Sequence, residues 1–502
     1  MPMQQILEPS DPAAPVVLRG VSTAGGGPRV DVRLADGRVE AITGAGEAPV
    51  RAGDDVVDVP GGGYVLPGLV DGHVHWTQWS GFRRRIDVSA ATSATGVAAL
   101  VAAAGSVGRN DIVRAQGFQD ALWADAPHAS MLERALPGVA VAVVSMDLHT
   151  TWLSPAALRR LEIVHPTGVL RERDSFEVQL RLSQEEPAEL TDTWVAEASA
   201  AAAAKGITEV LDFEFADNIA DWSRRAARGD LGLRVQASIW QPWLEQALAA
   251  GLRSDAVLPG TGGRVRVGPF KVIVDGSLNT RTAYCYHAYP DVTDEHDHGM
   301  LLIEPDELQQ LMTAAVGGGL RPAVHAIGDR ANTVVLDAFE AVGGPGRIEH
   351  AQLVDEADLH RFARPGLVAS VQPQHAMTDR DVADRHWAET ARWAFPFGSL
   401  VAAGATLHLG SDAPVAEPDP WQAIAAAVSR TDDDRPPWHP EQAIDLPTAL
   451  AAASAGRAEL SVGDAADVVV VGLDPWHATP SELREMPVQA TFVGGRATFR
   501  VV

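Results

Sequence analysis

Apolar and polar residues alternate one by one through "RVDVRLADGRVEAITG" (29–44), with Asp36 and Gly37 as a turn signal inside the run. "PVVLRGVST" and "DDVVDVPGGGYVLPG" on either side share this texture of short strands and glycine turns. It returns near the other end of the chain in "AADVVVVGLDP" (465–475) and "VQATFVGGRATFRVV" (488–502). Two β-rich ends around a long middle predict that the termini meet in one small β-sandwich domain, residues 1–66 with 455–502. Between them the rhythm changes, and short apolar runs alternate with longer helical stretches. The runs are "YVLPGLVDGHVHW" (64–76), "GITEVLDFEF" (206–215), "LRVQASIW" (233–240), "GPFKVIVDGS" (268–277), "RPAVHAIGD" (321–329), "GRIEHAQLV" (346–354), "LVASVQPQH" (367–375) and "ATLHLGSDAP" (405–414). Eight β/α repeats predict an α/β fold, a (β/α)8 barrel over residues 67–454. One interval breaks the rhythm. Residues from about 85 to 195 are too long for a single crossover and contain the strand-like "VAVAVVSMD" (139–147), so they predict an inserted α/β subdomain after the first barrel strand. "ASAAAAAKG" (198–206) predicts a helix ending at Gly206.

Composition narrows the function classes. A hydrophobic fraction of 46% over 502 residues supports a large core, and 21% charged residues argue against wholesale disorder. A formal net charge of −26 excludes nucleic acid as a natural partner, because its phosphates would be repelled. No run reaches the roughly 18 apolar residues of a membrane helix. The start, "MPMQQILEPSDPAAPVVLRG", lacks the basic segment and apolar core of a signal peptide. The one cysteine, Cys285, rules out an intramolecular disulfide and fits a reducing compartment. These features together predict a cytoplasmic protein that acts on a small molecule, with no nucleic-acid or membrane partner.

Chemistry in such barrels gathers at the C-terminal ends of the strands. The polar residues there are His73 and His75 on the first strand, Lys271 on the fourth, His325 on the fifth, His350 on the sixth and Asp412 on the eighth. Side chains on a strand alternate with period two, so His73 and His75 share a face and Val74 points away. Two imidazoles on one face can bind one metal ion; Zn, Fe and Ni suit such ligands, and a carboxylate is compatible with each. His325 and His350 offer ligands for a second ion. Asp412 can bind metal and also accept a proton. Gly410, two residues earlier, is expected to leave room for a metal and its water. Lys271 is the odd member, since an ammonium beside cations is repelled. It must be neutral, displaced or chemically changed.

Other residues are weaker candidates. Trp76, Trp79, Trp123, Trp152, Trp240 and Trp243 fall near strand ends or in the insert and predict a fairly apolar pocket, with Trp76 the first substrate contact. Asp120 in "AQGFQDALW", Arg281 in "TRTA" and His375 at the end of the seventh strand are the polar substrate-binding candidates. His296 and His298 in "DEHDHG" (294–299) read as a solvated loop.

The stretches "LPGLVDGHVHW", "KVIVDGSLNTRTA", "RPAVHAIGDRANTVVLDAFE", "RIEHAQLV", "VASVQPQH", "LHLGSDAPV" and "PDPWQAIAAAVSR" resemble the amidohydrolase superfamily, in the family 3 branch that includes N-substituted formamide deformylase. The resemblance implies that His73 and His75 bind the more buried of two metal ions, with Asp412 as a further ligand. It implies that Lys271, as a carbamate, bridges to a second ion held by His325 and His350. Lys271, His325 and Asp412 then form the catalytic set, a metal-bound hydroxide attacks a carbonyl, and Asp412 carries the proton to the leaving amine. The cofactor implied is a divalent metal, zinc in the first instance, as one or two ions per chain. The same resemblance turns His149 in "MDLHTTW" towards the pocket and suggests a homodimer. The expected activity is hydrolysis of an amide or N-formyl C–N bond. Ester or lactone hydrolysis, decarboxylation on the same barrel, or a non-catalytic relative are the alternatives. Asn279, where the family often has glycine, and the "MDLHTTWL" segment depart from the usual pattern near the place for substrate.

Overall fold

The computed structural model describes residues 14–501 apart from 24–26, 60–62, 106–111 and positions 230, 291, 294 and 458. The first thirteen residues, on which the signal-peptide expectation rested, lie outside the described residues. Eight parallel strands form one sheet in chain order: β1 (Leu69–Val74), β2 (Ile207–Asp212), β3 (Arg234–Trp240), β4 (Val265–Ile273), β5 (Pro322–Ala326), β6 (Gly346–His350), β7 (Leu367–Val371) and β8 (Thr406–Leu409). The sheet closes just beyond β8, where Val74 pairs with Ala413 in parallel. The Asp412 N–H donates to His73 O and the His75 N–H to Ala413 O, both at 2.7 Å. Buried Asp71 adds a tie by accepting the Ser411 N–H at 2.9 Å. These strands are buried along most of their length, as parallel strands covered on both faces must be.

The run "YVLPGLVDGHVHW" is two strands rather than one. Tyr64–Pro67 pairs with Val468–Val471 in another sheet, and β1 starts after Gly68. A Cβ at Gly68 would lie 2.3 Å from the Thr208 side chain, so only glycine lets the chain cross over β2 there. The other sheet has eight strands drawn from both ends of the chain: Val16–Ser22, Arg29–Ala35, Arg38–Gly44, Asp55–Asp58 and Tyr64–Pro67 from one, Val468–Val471, Val488–Val493 and Arg496–Arg500 from the other. Its core is made of small β-branched residues such as Val32, Val65 and Val468.

Between β1 and β2 lies a five-stranded sheet of Ile86–Asp87, Ile112–Phe118, Ala140–Ser145, Thr150–Leu153 and Val169–Arg171. Helix Ala94–Ala104 packs Val97 and Val101 on one face, and helix Glu172–Gln184 packs Val178 and Leu182 on the other. The next helix, Ala188–Ala203, runs through residue 195, where the insert was expected to end, and reaches the turn at Gly206.

Candidate active site

The C-terminal ends of the barrel strands bring the predicted donors together. His73 is inside β1 and His75 just after it, and both Nε2 atoms stand 3.3 Å from the same oxygen, Asp412 Oδ1. The other carboxylate oxygen, Oδ2, faces His375 Nε2 at 3.9 Å and His350 Nδ1 at 4.0 Å. The His73 ring is 4.9 Å from that of His350, which is 4.4 Å from that of His325. Lys271 enters from β4 with Nζ 4.3 Å from the Phe213 ring centroid.

Two of these placements come from left-handed backbone, which strand alternation does not anticipate. On β6, Arg347 and Glu349 share the inward face, and His350 would point outwards. It has φ +78° and the following Ala351 has +43°, and the turn carries the imidazole round to the cleft. Asp412 has φ +59° and stands beyond the end of β8, so it does not continue a face shared with Gly410 and His408. Left-handed backbone is unfavourable for these residues and persists where the surroundings over-determine it. Gly410 has a different task from the one expected. A Cβ there would sit 2.7 Å from His73 N and 2.8 Å from His73 Cβ, so its absence lets β8 lie against β1 rather than making room for an ion.

Beneath the donors lies a set of orienting groups that strand-end reasoning missed. Glu349, fully buried, accepts from His73 Nδ1 and from Arg347 Nε, each at 2.7 Å. Arg347 also donates to Gly72 O and Ser370 Oγ at 2.8 Å. The bond to Glu349 fixes the His73 proton on Nδ1 and leaves Nε2 free as a ligand, the usual arrangement of metal-binding histidines. Gln372 Oε1 accepts from His350 Nδ1 at 3.0 Å. The only sequence signal for Glu349 was its place beside a candidate ligand in "RIEH".

Electrostatics fit a site made for cations. Burial, then the charge of Lys271, lowers His73 to about 4, and burial also holds His325 and His350 well below the ordinary histidine value. Neutral imidazoles are the form that binds metal. Burial would raise Asp412, but His73, His75 and His350 outweigh it and keep the carboxylate ionised. Burial lowers Lys271 to about 8.

The residues present fit a divalent ion. The ligand atoms of His73, His75 and Asp412 lie within 4.8 Å of one another, and so do those of His350, His375 and Asp412. Lys271 Nζ, His325 Nε2 and His375 Nε2 are buried without a hydrogen-bond partner, a costly state for polar atoms unless something else completes them. The second donor group includes His375, which sequence reading had placed with the substrate contacts; it lies on helix Pro373–Thr378, past β7.

The donors open onto a cleft that the inserted subdomain partly covers. His149 lines it, with its Nδ1 donating to Glu172 Oε2 at 2.7 Å. Burial would lower His149, but the charges of Glu172 and Asp147 raise it to about 9, so the ring is an imidazolium. Asn279 lines the cleft too; its amide donates to Asp379 Oδ1 at 3.0 Å and its own oxygen has no partner. Three expected substrate contacts are not among the lining residues. Trp76 is fully buried against Trp79 in the core. Asp120 is ion-paired with Arg171 at 3.0 Å. Arg281 sits in the turn after Leu278 with φ +59°. Of the six tryptophans named above only Trp240 reaches the cleft, because the others pack the insert and the barrel's outer layer.

Fold and site together define a (β/α)8 barrel with an oxygen- and imidazole-rich donor cluster at its mouth. The amidohydrolase family model matches residues 55–499, and the chain belongs to that family. It is 29% identical over 493 residues to protein LONG AFTER FAR-RED 3 of Arabidopsis thaliana, covering 87% of this chain and 82% of that one. It is 27% identical over 256 residues to N-substituted formamide deformylase of Arthrobacter pascens, covering 46% and 45%. Among solved structures, an uncharacterized metal-dependent hydrolase from Pyrococcus horikoshii OT3 shares the fold with a TM-score of 0.77 at 24% identity, over 93% of this chain and 99% of the other. No helix among the described residues is long and apolar enough to cross a membrane.

Proposed function

We propose that this chain is a metal-dependent hydrolase that cleaves a C–N bond in an amide or N-formyl group. The observation that carries this reading is the shared carboxylate: one oxygen of Asp412 faces His73 and His75, and the other faces His350 and His375, at the wall of a cleft. His73, His75, His350, His375 and Asp412 would hold one or two divalent ions, with His325 and Lys271 completing the set. Such an ion, zinc in the first instance, supplies Lewis acidity and lowers the pKa of water towards ~7.

The chain's own residues do the rest. Asp412 is ionised and within reach of both halves of the cluster. It takes a proton from the attacking water on a carboxylate oxygen and returns it to the leaving nitrogen. Glu349 keeps the His73 proton on Nδ1, so Nε2 stays available. His149 presents a charged donor from the insert for the substrate carbonyl. Lys271 fits the role of a carbamate: its amine is buried, has no partner, and is lowered far enough for the neutral form that adds carbon dioxide to be present near neutrality. The name of the Arthrobacter pascens relative supports an N-formyl substrate.

The test has two parts. Elemental analysis of the purified protein and of the His73→Ala, His75→Ala double variant should show metal in the first and a loss of at least half in the second. A panel of N-formyl amines, amides, esters and lactones should then show turnover confined to C–N bonds. Equal metal content in the two proteins, or turnover of lactones alone, would overturn the reading.

A further inference from the structure

The cleft runs past the donor cluster into the inserted subdomain, where its wall carries two guanidinium groups, Arg85 and Arg114. Arg114, on strand Ile112–Phe118, already has anionic partners. It faces Glu186 at 3.3 Å and Glu185 at 3.9 Å, and donates to Leu182 O at 2.6 Å. Arg85, between helix Trp76–Phe82 and strand Ile86–Asp87, has none. Its hydrogen bond goes to the neutral amide oxygen of Gln116 at 3.0 Å, and no carboxylate among the described residues lies within ion-pair distance of it. Burial, then repulsion from Arg114, lowers the Arg85 guanidinium to about 10, and the charges of Glu214 and Glu186 offset this only in part.

A partly buried cation without a counter-ion is costly, and such groups are ordinarily paired. Here the missing partner faces a cleft built for a small molecule. The planar guanidinium suits a carboxylate held by two hydrogen bonds. Most of the cleft's wall is apolar, with Val144, Leu148, Phe176, Leu180 and Leu182 among its residues beside the Glu214 carboxylate. An occupant that reaches both ends therefore has a hydrolysable group at one end, an apolar body, and a negative charge at the other. We infer that Arg85 is an anchor for an anionic terminus, so the substrates are amides whose apolar chain ends in a carboxylate. The inference rests on the hydrolase reading for what happens at the donor cluster, but not for the binding of the anion.

The experiment uses the metal-loaded protein and calorimetry. The probes are linear ω-(methanesulfonamido) carboxylic acids of increasing chain length, which the site cannot hydrolyse, and their neutral carboxamides. The wild type should bind the acid of matching length about tenfold or more tightly than its carboxamide, the scale of a charge-assisted hydrogen bond. Arg85→Gln should bring the two within about threefold, and Arg85→Lys should fall between, since it keeps the charge and loses the fork. Both variants should keep the parental metal content and melting temperature, which would show that they fold. Equal affinity of acid and carboxamide for the wild type at every length would overturn the subsite. So would a preference that survives in Arg85→Gln. The corresponding N-formyl acids, tested for turnover, separate the two readings. An Arg85-dependent preference without turnover would leave the subsite standing and sink the hydrolase reading, and turnover without preference would do the reverse.

Discussion

Replacing Glu349 with Gln is the most discriminating change to the orienting layer beneath the donors. Glu349, itself fully buried, accepts two bonds of 2.7 Å, from His73 Nδ1 and from Arg347 Nε. Glutamine has the same shape but one acceptor oxygen and one NH2 group. Arg347 cannot lose its proton, so the oxygen turns to it and the NH2 meets His73. The His73 Nδ1 must then accept, and its proton moves to Nε2, the atom 3.3 Å from Asp412 Oδ1. A protonated Nε2 cannot bind metal. Both bonds are kept but each now meets a neutral amide instead of a carboxylate, which costs about 1–1.5 kcal/mol per bond. The bonds of Arg347 to Gly72 and Ser370 survive and limit the remaining penalty. The total falls at about 2–3 kcal/mol, with metal affinity lower by about 10–100-fold, as for other orienting partners of metal ligands. Competition with a chelator of known affinity measures the second quantity, and thermal unfolding of the metal-free protein checks the first. Metal affinity within threefold of the parent would refute the tautomer argument. A loss of affinity with no loss of metal-free stability would refute the bonding ledger.

Asp412→Asn keeps the size and removes the basic oxygen, so turnover of the best substrate should fall by about three orders of magnitude; a rate within tenfold of the parent would exclude Asp412 from the chemistry. Gly410→Ala forces a Cβ against the His73 backbone at 2.7 Å. It should cost about 1–3 kcal/mol of stability by overpacking and lower the metal content as well, both measurable on one purified sample. In the metal-free protein the His149–Glu172 pair should shape stability against pH. His149 is raised from 6.5 to about 9, so its contribution is complete below pH 6.5 and is lost as pH rises through about 9. Glu172 is held below its ordinary 4.5 despite burial, by His149 first, so the pair is intact down to that region. His149→Gln should flatten the slope of melting temperature between pH 6.5 and 9, and an unchanged slope would place the titration elsewhere.

The periodicity of the chain by itself determined the barrel, the meeting of its two ends and the insert, because strand and helix periods depend on local spacing. It also determined His73 and His75 as a pair, since two residues on one strand need no tertiary information to share a face. Lys271, His325, His350 and Asp412 were legible as strand-end residues, and the structure brings all four to one mouth. What tertiary structure decided is which atoms meet. The left-handed backbone at His350 and Asp412 turns side chains against the alternation of their own strands. His375 joins the donors from a helix beyond its strand, and Glu349 reaches His73 across the barrel from 276 positions away. Trp76 and Asp120 looked like pocket residues because they are polar or aromatic near a strand end, but the core and Arg171 claim them first. The physical reason is the same in each case. Spacing along a strand fixes a direction relative to neighbouring residues, whereas a site is a set of distances between elements. Those distances are set by barrel closure, in which glycines such as Gly68 and Gly410 admit contacts that no side chain would allow.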